Sequence, residues 1–342
     1  MKTKLSLPCI LLLTCALFSF AADKPKYEVL QHFAVGGEGG WDYLNFDPQS
    51  NRLFISRGTH VMVLDAATGK QLGDIPNTAG VHGIAFVPDL GVGVTSNGRA
   101  NTVTIFDLKT LQPKGEVKTA TNPDAIMYDP GSKRVFAFNG RSQDATVIDP
   151  AKATAVGTIP LGGKPEFGVS DDKGHVFVNI EDKSEIAEID SEKMTVLAKW
   201  PLAPCEEPSG LAIDKKIGRL FSVCSNKTMA VVDTKSGKVV ASVPIGNGPD
   251  AAAFDPGLQL AFSSNGEGTL TIIHQDSPEK YSVVQTLDTA RGARTMTLDS
   301  ASHKVFLVTA KFGPAPAPTT EQPRPRPPML PNTFEVIVAG PK

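Results

Sequence analysis

A repeat of about 42 residues constrains the fold of this 342-residue chain more than any other feature. The segment 248–256 reads Gly-Pro-Asp-Ala-Ala-Ala-Phe-Asp-Pro, and 121–130 repeats its Pro-Asp-Ala and Asp-Pro elements. Looser copies place equivalent residues at steps of 40, 42, 42, 43, 41 and 44, at Asp47, Val87, Asp129, Asp171, Asp214, Asp255 and Asp299. This period, with four short apolar runs in each copy, is typical of a β-propeller blade.

A second set of positions repeats with the same period. The third apolar run of the first six copies ends at steps of 42, 42, 41, 43 and 41 residues, at Asp65, Asp107, Asp149, Asp190, Asp233 and His274. Because one four-stranded sheet cannot bury both of its faces alone, such units stack around a central channel. We therefore predict an all-β, seven-bladed β-propeller with blades at about 40–78, 79–119, 120–161, 162–202, 203–245, 246–289 and 290–340.

The two ends of the repeat region predict how the ring closes. The last copy lacks a fourth apolar run, and residues 27–35 resemble the outer strand of a blade. We predict that this N-terminal strand completes blade seven, which leaves no open sheet edge. Blade seven also carries a Pro-rich insertion at 313–332, between its second and third strands. Because Pro cannot donate ladder hydrogen bonds, the insertion is expected to be an exposed loop, on the top face of the propeller.

The first 22 residues have the pattern of a signal peptide. Lys2 and Lys4 precede a long apolar run that ends in small residues suited to cleavage after Ala21 or Ala22. Cys15 leaves a lipid anchor open as an alternative, although the residues before it match a lipobox poorly. No later stretch approaches the ~20 apolar residues of a membrane span. We predict a periplasmic or secreted monomer whose single domain covers 23–342.

Charge and cysteine content narrow the class of partner. The whole chain has a formal net charge of −2, and loss of the leader would make it −4. This balance argues against nucleic acid as a partner, since non-specific binding needs basic surfaces. Cys205 and Cys224 are the two cysteines outside the leader, and blade alignment puts both on one face of blade five. In an exported protein they predict a disulfide, with a reduced buried pair as the alternative.

Short motifs within the repeats add a family resemblance. The Pro-Asp-Ala-x-x-x-Asp-Pro units, the Ser-Asn-Gly turns and the Val-x-Val-x-Asp third strands resemble the YVTN/YncE-like β-propeller repeat family. The resemblance covers essentially the whole of 23–342 and implies the propeller fold. It does not imply one activity, because ligand binding, surface roles and catalysis all occur among similar propellers.

The blade alignment also yields a candidate site. In a propeller the first strand of each blade lines the channel, and the residue five before each aligned position starts that strand at the top opening. We call these residues the mouth ring: Asp42, His82, Asp124, Glu166, Ser209, Asp250 and Arg294. All of them are polar. Neighbouring carboxylates are unfavourable unless a cation, a proton or a basic group intervenes, so the ring predicts a binding site.

The leading hypothesis is that the mouth ring binds a small polar ligand, a cation or a protein partner. The expected ligand contacts are Trp41, Asp42, Arg57, Arg99, Arg141, Ser209 and Asp250. A hard cation such as calcium or magnesium is a further option, held by the carboxylates of Asp42, Asp124, Glu166 and Asp250. A purely structural interpretation also stays open, because a water-filled channel needs polar walls and Asp side chains cap loops.

The alternative function is a metal-assisted enzyme of the lyase or lactonase type. Its catalytic residues would be His82, Asp124, Glu166 and Arg294, with His82 as general acid or base and Arg294 facing an oxyanion. The similarity to the gluconolactonase and virginiamycin B lyase families is one of shape, since none of their motifs occurs in this chain. A Cys-x-x-Cys-His haem attachment motif is also absent.

Overall fold

A computed structural model describes residues 25–319, 325 and 327–342. The predicted signal peptide therefore lies outside the described residues. The described chain forms seven four-stranded antiparallel sheets, so the predicted seven-bladed β-propeller is confirmed. Within the described residues, no helix is long and apolar enough to cross a bilayer.

The strands occupy equivalent positions in every blade. The first strands, around the channel, are β2 (Leu44–Asp47), β6 (Val81–Val87), β10 (Pro123–Asp129), β14 (Pro165–Ser170), β18 (Pro208–Asp214), β22 (Pro249–Asp255) and β26 (Met296–Asp299). The second strands are β3 (Arg52–Ser56), β7 (Val92–Asn97), β11 (Arg134–Asn139), β15 (His175–Ile180), β19 (Arg219–Cys224), β23 (Leu260–Asn265) and β27 (Lys304–Thr309).

The outer half of each blade follows the same order. The third strands are β4 (Val61–Asp65), β8 (Thr102–Asp107), β12 (Asp144–Asp149), β16 (Glu185–Asp190), β20 (Thr228–Asp233), β24 (Thr269–Ser277) and β28 (Glu335–Pro341). The fourth strands are β5 (Gln71–Ile75), β9 (Pro113–Lys118), β13 (Thr154–Pro160), β17 (Thr195–Pro201), β21 (Lys238–Pro244), β25 (Lys280–Asp288) and β1 (Tyr27–Ala34). Two 3-10 turns, Pro88–Leu90 and Glu181–Lys183, interrupt the loops of blades two and four.

The N-terminal strand closes the ring, as predicted. β1 pairs antiparallel with β28, with Tyr27 opposite Pro341 and Ala34 opposite Glu335. The Tyr27 side chain is 1% exposed, and its hydroxyl donates to the carbonyl of His303 at 2.9 Å. The strand is therefore anchored by packing as well as by ladder hydrogen bonds, and no edge is left open between the first and last blades.

The hydrophobic core lies between the blades. Phe54 of blade one contacts Phe86 and Phe106 of blade two, with ring centroids 5.0 and 5.9 Å apart. The second and third strands are almost fully buried, whereas the outer strands alternate between inward and solvent-facing residues. This pattern follows from stacking, because the inner strands have a blade on each side.

At the bottom of the channel, the repeated aspartates stabilise turns. Asp255 is fully buried, and its carboxylate accepts backbone hydrogen bonds from Gly257 at 2.8 Å and Leu258 at 3.1 Å. Asp129 accepts the equivalent bonds from Gly131 and Ser132. These residues hold the first turn of each blade and take no part in the site at the opposite end.

The two cysteines meet in blade five. Cys205 precedes β18 and Cys224 ends β19, and the two are joined with their Cα atoms 5.6 Å apart. That separation lies within the normal range for a disulfide. Both side chains are buried, so the bond links the incoming loop to the second strand inside the blade.

Candidate functional site

Three residues of the mouth ring form one cluster. Nδ1 of His82 lies 2.6 Å from Oδ2 of Asp42 and 3.5 Å from Oδ1 of Asp124. They come from blades one, two and three, so positions 40 and 42 residues apart in sequence become neighbours around the channel. The result is an imidazole between two carboxylates, which we call the Asp–His–Asp cluster.

Gly98 determines how the His82 ring is oriented. A Cβ at this position would lie 2.7 Å from both Cδ2 and Nε2 of His82, so only glycine leaves room for that edge of the imidazole. The opposite edge, with Nδ1, consequently faces the two carboxylates. Burial alone would lower the pKa of His82, but the hydrogen bond to Asp42 and the charge of Asp124 raise it overall. The cluster therefore favours the imidazolium form.

Glu166 is held by a residue outside the mouth ring. Nζ of Lys164 lies 2.6 Å from Oε1 of Glu166 and also contacts the carboxylate of Glu181. Burial raises the pKa of Glu166 to about 8, and the charge of Asp124 adds to the effect while Lys164 opposes it. The lysine bridge thus gives Glu166 a cationic partner within the protein.

Asp250 and Arg294, from the adjacent blades six and seven, form an ion pair. Nε of Arg294 lies 3.6 Å from Oδ2 of Asp250. Burial raises the pKa of Asp250 to about 7, and Arg294 acts in the opposite direction. Between these residues and Glu166, Ser209 donates to the backbone carbonyls of Pro249 and Asp250, so its hydroxyl is used to join blades five and six.

Two aromatic side chains meet across the channel beside the mouth ring. Tyr43 and Phe167 stack with their centroids 4.7 Å apart and their planes 26° from parallel. The Tyr43 hydroxyl is enclosed and has no hydrogen-bond partner among the described residues. Burial raises its pKa well above the usual value, and the charges of Asp124 and Glu166 raise it further.

Sequence reasoning did not identify Tyr43 as part of the channel. A usable signal was present in the column that follows the mouth ring. That column holds Tyr43, Gly83, Ala125, Phe167, Gly210, Ala251 and Thr295. The two large side chains belong to blades one and four, on opposite sides of the channel, and the small residues elsewhere leave the space in which they meet.

The arginines of the top-face loops have unequal roles. Arg99, Arg141 and Arg294 line a cavity of about 570 Å³ above the ring, together with Trp41, Asp42 and His82. Within the described part of the chain, neither Arg99 nor Arg141 has an ion-pair partner. Their exposed guanidinium groups are therefore available to a ligand in the cavity.

Arg57, expected at the ligand, is instead fully buried. Its guanidinium donates to the carbonyls of Gly36, Glu38 and Gly39 at 3.2, 2.8 and 3.0 Å. The group also lies 3.9 Å from the ring centre of Phe334, and burial lowers its pKa to about 10. Arg57 thus fixes the loop between β1 and β2 and does not line the cavity.

A second cavity of about 540 Å³ adjoins the first, with which it shares Gly40, Trp41 and Arg294. Its further walls include Phe312, which precedes the insertion of blade seven, and Pro327 and Met329 within that insertion. At the base of that insertion, Gly313 donates to Pro328 and Leu330 donates to Lys311, each at 2.8 Å. The ring centroids of Trp41 and Phe312 lie 6.1 Å apart. Because Trp41 lines both cavities, its side chain forms part of the boundary between them.

The four carboxylates expected to hold a hard cation do not converge as one set. Among the described residues, the only His, Cys, Asp and Glu side chains grouped closely enough to share a metal ion are Asp42, His82 and Asp124. Glu166 instead pairs with Lys164, which lies outside the mouth ring, and Asp250 pairs with Arg294 of the ring.

Comparisons with known proteins identify the architecture. No family model matches the chain, and no curated protein matches it. Among solved structures, hydrazine synthase from Kuenenia stuttgartiensis superposes with a TM-score of 0.69 and 19% sequence identity, over 79% of this chain and 92% of that one. Such a likeness shows the fold alone. The chain is therefore a β-propeller, and the YVTN/YncE-like resemblance stays a prediction.

Proposed function

We propose that this protein is an exported β-propeller that binds a small polar ligand in the cavity above the mouth ring. The ligand carries an anionic group, such as a carboxylate or a phosphate, and hydrogen-bond donors, such as hydroxyl or ammonium groups. The observation that carries this proposal is the pairing of unpartnered arginines at the rim with carboxylates at the floor of one cavity.

The rim suits the anionic group. Guanidinium groups bind carboxylates and phosphates through two parallel hydrogen bonds, and among the described residues Arg99 and Arg141 have no ion-pair partner that competes. The floor disfavours a purely anionic molecule, because Asp42 and Asp124 repel it. A ligand with both kinds of group satisfies both ends of the cavity. The volume of about 570 Å³ also falls within the range of small-molecule sites.

Export is supported by two features. Residues 1–22 have a basic start, an apolar run and small residues suited to cleavage. The Cys205–Cys224 bond is compatible with an oxidising compartment. Mass spectrometry of the protein recovered from the periplasm or medium of the producing cell tests export directly, since a chain that begins at Met1 would contradict cleavage.

The binding test uses thermal-shift screening followed by calorimetry. The panel comprises amino acids, sugar acids, hydroxy acids and sugar phosphates. Arg141→Gln and Arg99→Gln are each expected to weaken the strongest hit about tenfold, the usual effect of losing one charge-assisted hydrogen bond. Lys109→Gln, on an exposed turn at the opposite face, is the matched control. A hit whose affinity is unchanged in both arginine variants would refute binding at this cavity.

A second candidate is an enzyme of the lyase or lactonase type. The observation that favours it is the 2.6 Å contact between His82 and Asp42, because a carboxylate that orients an imidazole is a common general acid–base arrangement. Turnover of any bound panel member by the wild type, lost in His82→Ala with binding retained, would identify the protein as an enzyme. Equal turnover in that variant would exclude this role of His82.

A further inference from the structure

We propose that the Asp–His–Asp cluster binds one divalent transition-metal ion of the zinc or manganese class. Oδ atoms of Asp42 and Asp124 and Nδ1 of His82 supply three ligands, and the remaining positions open into the 570 Å³ cavity. This metal site rests on the proposed function in one respect, because both use the same cavity. A bound ion would there face the anionic group of the small-molecule ligand.

The geometry of the three side chains fits a metal centre. Their ligand atoms all lie within 4.8 Å of one another. Metal–ligand bonds of about 2.0–2.2 Å place neighbouring ligand atoms roughly 3–3.5 Å apart. The Nδ1 to Asp124 distance of 3.5 Å already has this value, and the Nδ1 to Asp42 contact of 2.6 Å needs only a small opening.

The orientation of the imidazole is fixed before any ion arrives. Because Gly98 has no side chain, the Nε2 edge of the His82 ring fits against it, and the ring presents Nδ1 to the two carboxylates. A ligand held in place by its surroundings loses little freedom on binding a metal. Gly98 lies in the turn that follows β7, so this feature is independent of the acidic residues themselves.

The Tyr43 hydroxyl is a separate indication of a bound group. It is enclosed and lacks a hydrogen-bond partner among the described residues, although buried hydroxyls almost always have one. It lies within electrostatic reach of Asp124 and Asp42. The unpartnered hydroxyl therefore marks this end of the channel as a place where a bound group would find a hydrogen-bonding side chain.

The ligand set selects the class of ion. Calcium and magnesium prefer oxygen ligands alone, whereas imidazole together with carboxylates suits zinc, manganese or iron. The other two acidic residues of the ring lie beside Lys164 and Arg294 and not in the cluster, so they do not add the further oxygen ligands that calcium needs.

The test is direct titration of the full-length protein with metal alone. After chelation and dialysis, calorimetry with zinc chloride and manganese chloride is expected to give one site per chain, with calcium at least about tenfold weaker. Asp42→Asn and Asp124→Asn each remove one charged ligand and are expected to weaken binding tenfold or more. Gly98→Ala keeps all three ligands but displaces His82, and a similar loss is expected there.

A matched control exists at the other end of the channel. His303 and Asp255 form a His–carboxylate pair at 2.7 Å, with no third ligand among the described residues near it. His303→Asn, which tolerates the positive φ of 60° at this residue, should leave metal affinity within about twofold. Circular dichroism of every variant establishes that the propeller has formed.

The outcomes are distinct from those of the proposed function. Absence of zinc and manganese binding, or stoichiometric binding that persists in the Asp42, Asp124 and Gly98 variants, would overturn the metal site while leaving ligand binding at the arginine rim intact. Metal binding without any effect of Arg99 or Arg141 on small-molecule affinity would instead remove the proposed function alone.

Discussion

Replacement of Asp250 by Asn is expected to change how the stability of the propeller depends on pH. Burial raises the pKa of this carboxyl to about 7, and its side chain is 19% exposed. The Asn side chain has nearly the same shape and cannot ionise. Comparison of wild type and Asp250→Asn in a buffer with chelator therefore isolates the titration of this one group.

The sign follows from proton linkage. A carboxyl whose pKa is raised on folding binds its proton more tightly in the native state than in the unfolded chain. Its contribution to stability is fully present below the unfolded pKa of 3.8 and is lost as the pH rises through the folded pKa of about 7. The wild type should consequently lose stability relative to the variant between pH 5 and pH 8.

The magnitude follows from the two pKa values. One pKa unit corresponds to about 1.4 kcal/mol, so the whole shift of roughly 3 units is worth about 4 kcal/mol at most. Part of this is already lost at pH 5, because the unfolded carboxyl is ionised there. We expect the free energy of unfolding of Asp250→Asn, minus that of the wild type, to rise by about 2.5 kcal/mol from pH 5 to pH 8.

The assay is urea-induced unfolding at several pH values, followed by tryptophan fluorescence and circular dichroism. Glu279→Gln, on the exposed turn between the outer strands of the same blade, is the control and should show no such trend. If the difference in unfolding free energy between the variant and the wild type stays constant with pH, the raised pKa of Asp250 is refuted. A difference that falls with rising pH would show that Arg294 stabilises Asp250 as a carboxylate.

The remaining predictions concern closure, cross-linking and the channel. Tyr27→Ala should cost about 3–5 kcal/mol in denaturant unfolding, since a fully buried ring is removed from the closing strand, and a loss below about 1 kcal/mol would contradict that role. Replacing Cys205 and Cys224 together by Ala should lower the free energy of unfolding by about 3 kcal/mol, because the disulfide links residues 19 apart in sequence. Equal stability of the wild type under reducing and oxidising conditions would argue against the disulfide. Tyr43→Phe in metal-free protein should leave stability unchanged or raise it by about 1 kcal/mol, and a clear loss in thermal unfolding would reveal a hydrogen-bond partner for the hydroxyl.

The candidate site was predicted in part. Alignment of the repeats placed Asp42, His82 and Asp124 at one height on consecutive blades, and the structure brings them together. The structure also pairs Arg294 with Asp250, a residue of the adjacent blade six. The alignment did not reveal the lysine beside Glu166 or the burial of Arg57, because long side chains reach several ångströms from their own position and their direction depends on neighbouring loops.

By itself, the sequence determined the architecture of this protein, because the information needed for it is periodic. A 42-residue period, a third strand ending in Asp and an unpaired N-terminal strand each follow from local patterning, and each blade packs chiefly against its two neighbours. Only the tertiary structure decided which mouth-ring residues act together. Partners across a channel belong to different blades, and charge, burial and the stacking of Tyr43 on Phe167 are set by three-dimensional distances that no column of an alignment contains.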